Sequence, residues 1–135
     1  MSDDVQAIAA QYEQIQAQLT AVERQIGLLE QRLMELHQAR TTLEALEGDE
    51  PLETLVPVGG GVQVRATIDP TKAILVPLGA SYSTEGDLEQ GMARLKQEIE
   101  QAQNALAAAS QQTDGLNQAA QQLMAQAQAA GGGAA

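Results

Sequence analysis

The sequence predicts a mainly α fold with a small β part: a long antiparallel coiled-coil hairpin with two β-hairpins between its helices. Three observations predict it. Apolar residues recur at alternating steps of three and four toward both ends of the chain. The segment between them changes composition and repeats itself. With two Tyr, no Phe and no Trp in 135 residues, little material exists for a globular core.

The first helix is expected within residues 1–47. Val5, Ile8, Tyr12, Ile15, Leu19, Val22, Ile26, Leu29, Leu33, Leu36 and Leu43 keep the three-four rhythm, with one gap at Arg40. Sustained over about six heptads, such spacing makes a narrow seam and not the broad face of a helix lying on a core. Ser2 is placed to cap the start, with Asp3 and Asp4 in the first turn, and Gly48 and Pro51 supply a stop.

The second helix is expected over residues 87–130. Its seam runs through Leu88, Met92, Leu95, Ile99, Ala102, Leu106, Ala109, Thr113, Leu116, Ala120, Leu123 and Ala127 without a slip. Thr84 with Asp87, or Asp87 with Gln90, offers a capping box, and residues 131–135 form a flexible tail. At ~1.5 Å per residue each helix is about 65 Å long, so the two match as an antiparallel pair.

Residues 53–84 carry a repeat at an offset of twenty positions: Leu55-Val56-Pro57-Val58-Gly59 returns as Leu75-Val76-Pro77-Leu78-Gly79. Each copy runs into a small-residue turn, Gly59-Gly60-Gly61 and then Gly79-Ala80-Ser81, which marks a β-hairpin. Val62, Val64, Ala66 and Ile68 alternate with Gln63, Arg65 and Thr67, as in a half-buried strand, whereas Ala73 to Leu78 is apolar throughout and calls for cover on both faces. Two isolated hairpins cannot offset the entropy of ordering their residues, at ~1 to 2 kcal/mol each. Strands from partner subunits are therefore expected.

The seam weakens toward the chain termini, where the second helix supplies Ala109, Thr113, Ala120 and Ala127. A Leu-to-Ala exchange at a buried position loses ~2 to 5 kcal/mol, and Gly115 costs about 1 kcal/mol in helix propensity. The helix ends are expected to splay and to expose Val5, Ile8, Tyr12, Leu116, Leu123 and Met124 as an adaptable apolar patch. Taken singly, each of these residues is better explained as seam packing, and the expectation is for the patch as a whole.

Several function classes are excluded. A net charge of −11 with seven dispersed basic residues argues against nucleic acid. No apolar run reaches the ~20 residues of a membrane span, and the first residues are acidic and Gln-rich instead of signal-like, so a cytoplasmic protein is expected. Without Cys there is no redox or disulfide chemistry. Gly59-Gly60-Gly61 has no following Lys-Ser or Lys-Thr and is no phosphate loop. Glu47, Asp49, Glu50 and Glu53 lack calcium-loop spacing and read as a solvated connector, and His37 has no second ligand near it. No catalytic, cofactor or metal site is expected, and no enzyme.

The arrangement of helix, two hairpins and helix, with Leu55 to Gly61 and Ile74-Leu75-Val76-Pro77-Leu78-Gly79-Ala80-Ser81-Tyr82 before a capped acidic helix, resembles the alpha class of the prefoldin family over essentially the whole chain. The resemblance implies an ATP-independent chaperone subunit in a hexamer of two alpha and four beta subunits. Such a complex holds unfolded polypeptides at its coiled-coil tips and passes them to a group II chaperonin. By position it implies assembly roles for Leu55, Val56, Val62, Val64, Ile68, Ile74, Val76, Leu78 and Tyr82, and client contact for residues 5–15 and 116–127. The same architecture also serves, as an alternative, a scaffold subunit that captures no client.

Overall fold

The computed structural model describes residues 2–48, 50–69, 74–79 and 81–133. Helix α1 spans Ser2–Ala45, followed by strands β1 Leu52–Gly59, β2 Val62–Ile68, β3 Ile74–Gly79 and β4 Tyr82–Gly86, and then helix α2 Leu88–Gly133. The strands form two separate antiparallel pairs, β1 with β2 and β3 with β4. The expected element order and class are what is found. The chain divides into two compact units, Met1–Leu33 with Ala102–Ala135, and Met34–Gln101.

In the first unit the helix pair is closed by the seam read from the sequence. Leu19 and Val22 of α1 and Ala102, Ala109, Ala120 and Leu123 of α2 are buried, while Ile8, Tyr12, Ile15 and Ile26 are half-buried. The expected splaying is not seen as far as Leu123, where Ala109 and Ala120 of the α2 seam are buried; beyond it Ala127 is half-buried and Val5 is 45% exposed. Thr113, the polar seam residue, donates its hydroxyl to the Ala109 carbonyl at 3.1 Å, so no polar group is left unpaired there.

In the second unit the seam has no break. Ala39, half-buried, continues it between Leu36 and Leu43, and Arg40 turns outward to pair with Glu44 at 3.2 Å, so the gap expected at Arg40 is filled by its neighbour. The first helix ends at Ala45, two residues short of the expected end. Its last turn tightens, with the Leu46 and Glu47 amides donating to the carbonyls of Leu43 and Glu44, three residues back. Leu46 is buried just beyond the helix.

A capping box starts α2. The Asp87 carboxylate accepts from the Gln90 amide at 2.7 Å, and the Gln90 side chain accepts from the Asp87 amide at 3.0 Å. This is the second of the two boxes the sequence offered; Thr84 belongs to β4. Helix α2 continues to Gly133, past the expected end at residue 130. Ser2 is the first residue of α1, but its side chain, and with it the expected cap, lies outside the described set.

The twenty-residue repeat is repeated in geometry. In the first hairpin Pro57 pairs with Gln63 and Gly59 with Val62, leaving Val58 as the bulged residue. In the second, Pro77 pairs with Ser83 and Gly79 with Tyr82, leaving Leu78. Gly60 and Gly61, at φ of 58° and 79°, supply the two left-handed residues that a tight hairpin turn of the primed type requires. Ser81 holds the matching place in the second hairpin at φ 67°, whereas Ala80 and Pro70 to Ala73 lie outside the described residues.

The second hairpin lies against its own helices through one glycine. A Cβ on Gly91 would stand 2.5 Å from Ile74 Cδ1 and 3.5 Å from Leu43 Cδ1, whereas a Cβ on Gly115 would meet nothing within 4 Å. Gly91→Leu is therefore expected to destabilise the chain by about 1 to 3 kcal/mol through overpacking, and Gly115→Ala to stabilise it by about 1 kcal/mol through helix propensity. Urea unfolding of both variants checks the pair; equal effects would show that Gly91 is not a contact point. Asp87→Ala is expected to cost about 1 kcal/mol by removing the cap, read from the same unfolding curves.

Candidate functional site

Two surfaces collect the residues singled out in the sequence. The first lies in the unit that carries both termini. Antiparallel pairing brings the first turns of α1 beside the last turns of α2, and Val5, Ile8 and Tyr12 line a groove of about 400 Å³ with Leu123 and Met124. Three further residues, Ala9, Glu13 and Ala127, complete it. The Val5 and Met124 side chains are 45% and 51% exposed. Leu123 is buried at 8% and forms the floor, and Leu116 sits half-buried in the seam two turns away, outside the groove. Five of the six expected residues are thus brought together, and Leu116 is not.

The apolar character of this groove has a geometric cause. Met124, Ala9 and Glu13 each follow a seam residue by one position, so they flank the seam on one side. Ala127 is one of the seam positions read from the sequence, and Ala9, beside Ile8, falls with it inside the ranges 5–15 and 116–127. Leu28 and Met34, exposed on α1, stand outside the three-four pattern and were not anticipated.

The second surface is formed by the hairpins, each considered by itself. In the first, Val56 faces Val64 and Leu52 faces Ile68 across the ladder, so one face carries paired apolar side chains. Val56, Val62 and Val64 are exposed, and Ile68 is half-buried. Leu55 pairs with Arg65 on the opposite face, where Arg65 also approaches Glu53 at 3.6 Å. Leu55 is therefore not on the same face as Val56 and Val64.

In the second hairpin the apolar run divides by alternation. Val76 is buried and Ile74 half-buried toward the chain's own helices, while Leu75 and Tyr82, both 73% exposed, and Leu78 are open. The cover expected on both faces of β3 is supplied on one face only by this chain, and Ala73 lies outside the described residues.

Chemistry elsewhere is sparse. Glu53 belongs to β1, Glu47 and Glu50 are exposed, and Asp49 lies outside the described residues. His37 is exposed on α1 and its carbonyl accepts from the Thr41 hydroxyl at 3.1 Å. Among the described residues no three His, Cys, Asp or Glu side chains cluster as metal ligands, and no helix is long and apolar enough to cross a membrane.

Seam-paired helices with a pair of β-hairpins inserted between them define a coiled-coil assembly subunit. The family model for prefoldin subunits matches residues 3–133, and the chain belongs to the prefoldin family. It is 30% identical over 131 residues to the prefoldin subunit alpha of Methanosarcina acetivorans, a match covering 94% of this chain and 92% of that relative. It is similar in structure to filamentous PFD from Methanocaldococcus jannaschii and to the prefoldin beta subunit from Thermococcus strain KS-1. Each of these has a TM-score of 0.65 and 25% identity over 93% of this chain, covering 99% and 90% of their own lengths respectively.

Burial separates the two neighbours at the groove floor. Leu123→Ala is expected to cost about 2 to 5 kcal/mol, while Met124→Ala is expected to stay within about 0.5 kcal/mol of the parent. Thermal unfolding followed by circular dichroism checks this, and a large loss at Met124 would place it in the seam.

Proposed function

We propose that the chain is the alpha-class subunit of a cytoplasmic, ATP-independent holding chaperone, without enzymatic activity or cofactor, that binds non-native polypeptides at the paired helix ends. The observation that carries this reading is the apolar groove lined by Val5, Tyr12 and Met124, which leaves flexible apolar side chains open to water on a closed helix pair. Non-native chains differ from folded ones in exposing apolar side chains, and a Met-containing groove accepts many of them weakly. Several such grooves in one complex turn weak contacts into avidity.

Assembly is the role proposed for the open hairpin residues Leu55, Val56, Val62, Val64, Leu78 and Tyr82, with half-buried Ile68 completing the set. Ile74 and Val76 act by seating the second hairpin on its own helices. The partners proposed are beta subunits, in a hexamer of two alpha and four beta chains, and a group II chaperonin that receives the client. Neither nucleic acid nor membrane is among them, given the −11 net charge and the absence of a spanning helix among the described residues. A second reading, a scaffold subunit that captures no client, is favoured by the filamentous form of the structure from Methanocaldococcus jannaschii to which the chain is similar.

The assay is suppression of aggregation of a denatured protein by the assembled complex, compared with a Val5→Ser/Met124→Ser variant. Loss of two apolar contacts, each worth about 1.5 to 3 kcal/mol when fully buried, is expected to raise the concentration needed by about tenfold or more. Native mass spectrometry is expected to show an unchanged hexamer. A parent complex that fails to suppress aggregation would move the chain to the scaffold reading.

A further inference from the structure

The helix pair has a second groove on the other flank of the same seam. Gln11, Gln14 and Gln18 of α1 and Gln122 and Gln126 of α2 line an open space of about 340 Å³. Ile15, Ala119 and Leu123 complete its lining, and no charged side chain lines it. All five glutamines, at positions 11, 14, 18, 122 and 126, precede the seam residues at 12, 15, 19, 123 and 127 by one position, whereas Ala9, Glu13 and Met124 of the first groove follow the seam by one. The two grooves share Leu123. The first groove is lined mainly by apolar side chains, with Glu13 its one charged residue, and the second by five neutral carboxamides.

All five glutamines are exposed, and among the described residues none of their carboxamides has a hydrogen-bond partner. A carboxamide carries two N–H donors and one carbonyl acceptor, which together match the N–H and C=O of a peptide unit. Folded proteins pair nearly all their buried backbone groups and leave few others open, so long runs of accessible peptide units belong to non-native chains. A charged groove would instead select for client charge, and a purely apolar one would ignore the backbone.

We propose that this glutamine groove binds the main chain of an extended non-native polypeptide, whose apolar side chains are taken by the neighbouring groove across Leu123. Recognition then has two components: side-chain apolarity on one flank and unpaired backbone on the other. The inference rests on the client-holding reading and adds to it a contact that is independent of client sequence.

The probe is a disordered peptide of alternating Leu and Ser residues, compared with its depsipeptide, in which esters replace alternate amides. The depsipeptide keeps every side chain and loses half of the backbone donors. Titrated against the full chain, the ester form is expected to bind about three- to tenfold more weakly, the worth of one or two lost hydrogen bonds. A Gln14→Met/Gln18→Met/Gln122→Met variant keeps side-chain length and helix propensity. It is expected to bind both forms alike, at the affinity the parent shows for the ester.

Equal binding of amide and ester by the parent chain overturns the groove while leaving client capture in place, and this comparison does not depend on the variant folding. Retention of the amide preference by the folded variant overturns it as well. Self-association of the chain that is lost in the variant, without any amide preference in the parent, assigns the groove to a second copy and also overturns the proposal. Binding of neither peptide by the full chain overturns the groove too, and suppression of aggregation by the assembled complex then decides the client-holding reading separately.

Discussion

A narrow apolar seam, repeated at steps of three and four along both helices, is the constraint on which the rest of this structure depends. Neither helix has a broad apolar face, and long isolated helices in water gain most of their stability from packing. Seam positions must therefore be spent on closure. Leu19, Val22, Ala109, Ala120 and Leu123 do this in one unit, and Leu36, Leu46 and Ile99 in the other. Because the seam uses so few positions, those beside it are left free to vary, and the two grooves differ in lining: Ala9, Glu13 and Met124 in one, five glutamines in the other.

The β part solves a different problem. Each hairpin is two strands long, too small to cover its own apolar face. Turn chemistry fixes register first, through left-handed residues at Gly60, Gly61 and Ser81 and a bulge at Val58 and Leu78. Alternation then sorts side chains by face. In the second hairpin one face meets helix α2 through Ile74, with buried Val76 beside Gly86 on the same face, and Gly91 gives the Ile74 contact its room. Leu75, Leu78 and Tyr82 remain as apolar surface that a lone subunit gains nothing by exposing.

Much of this was legible in the sequence because the signals were periodic. Both helices, their seams, the capping box at Asp87 and both hairpin turns follow from spacing and residue type. The residues that escaped did so for identifiable reasons. Ala39 was passed over because alanine counts weakly as apolar, so its neighbour Arg40 was read as a gap. The end of α1 moved to Ala45 because a tightened last turn is a matter of local hydrogen bonding that composition does not encode. Leu55 looked equivalent to Val56 in the repeat, but strand parity places it opposite Arg65, on the polar side. Gln11, Gln14, Gln18, Gln122 and Gln126 carry no signal that separates them from the other glutamines; only antiparallel pairing brings residues from the two ends of the chain into one groove.

Sequence reasoning also tied exposure of the apolar patch to opening of the helix ends, and here geometry points to a cheaper arrangement. Opening would uncover Leu123, which is 8% exposed in the closed pair, and burial of a leucine is worth about 1.5 to 3 kcal/mol. Val5 and Met124 are already open to water while Leu123 stays covered. Under the proposed client-holding function, a client would seat against them without first unzipping the seam, so none of its weak binding energy would go into breaking contacts within the helix pair. The same closed seam supplies the floor of both grooves, through the shared Leu123. In the proposed holding function, stability of the helix pair and capture of a client would then reinforce each other, because binding to the closed pair leaves Leu123 covered.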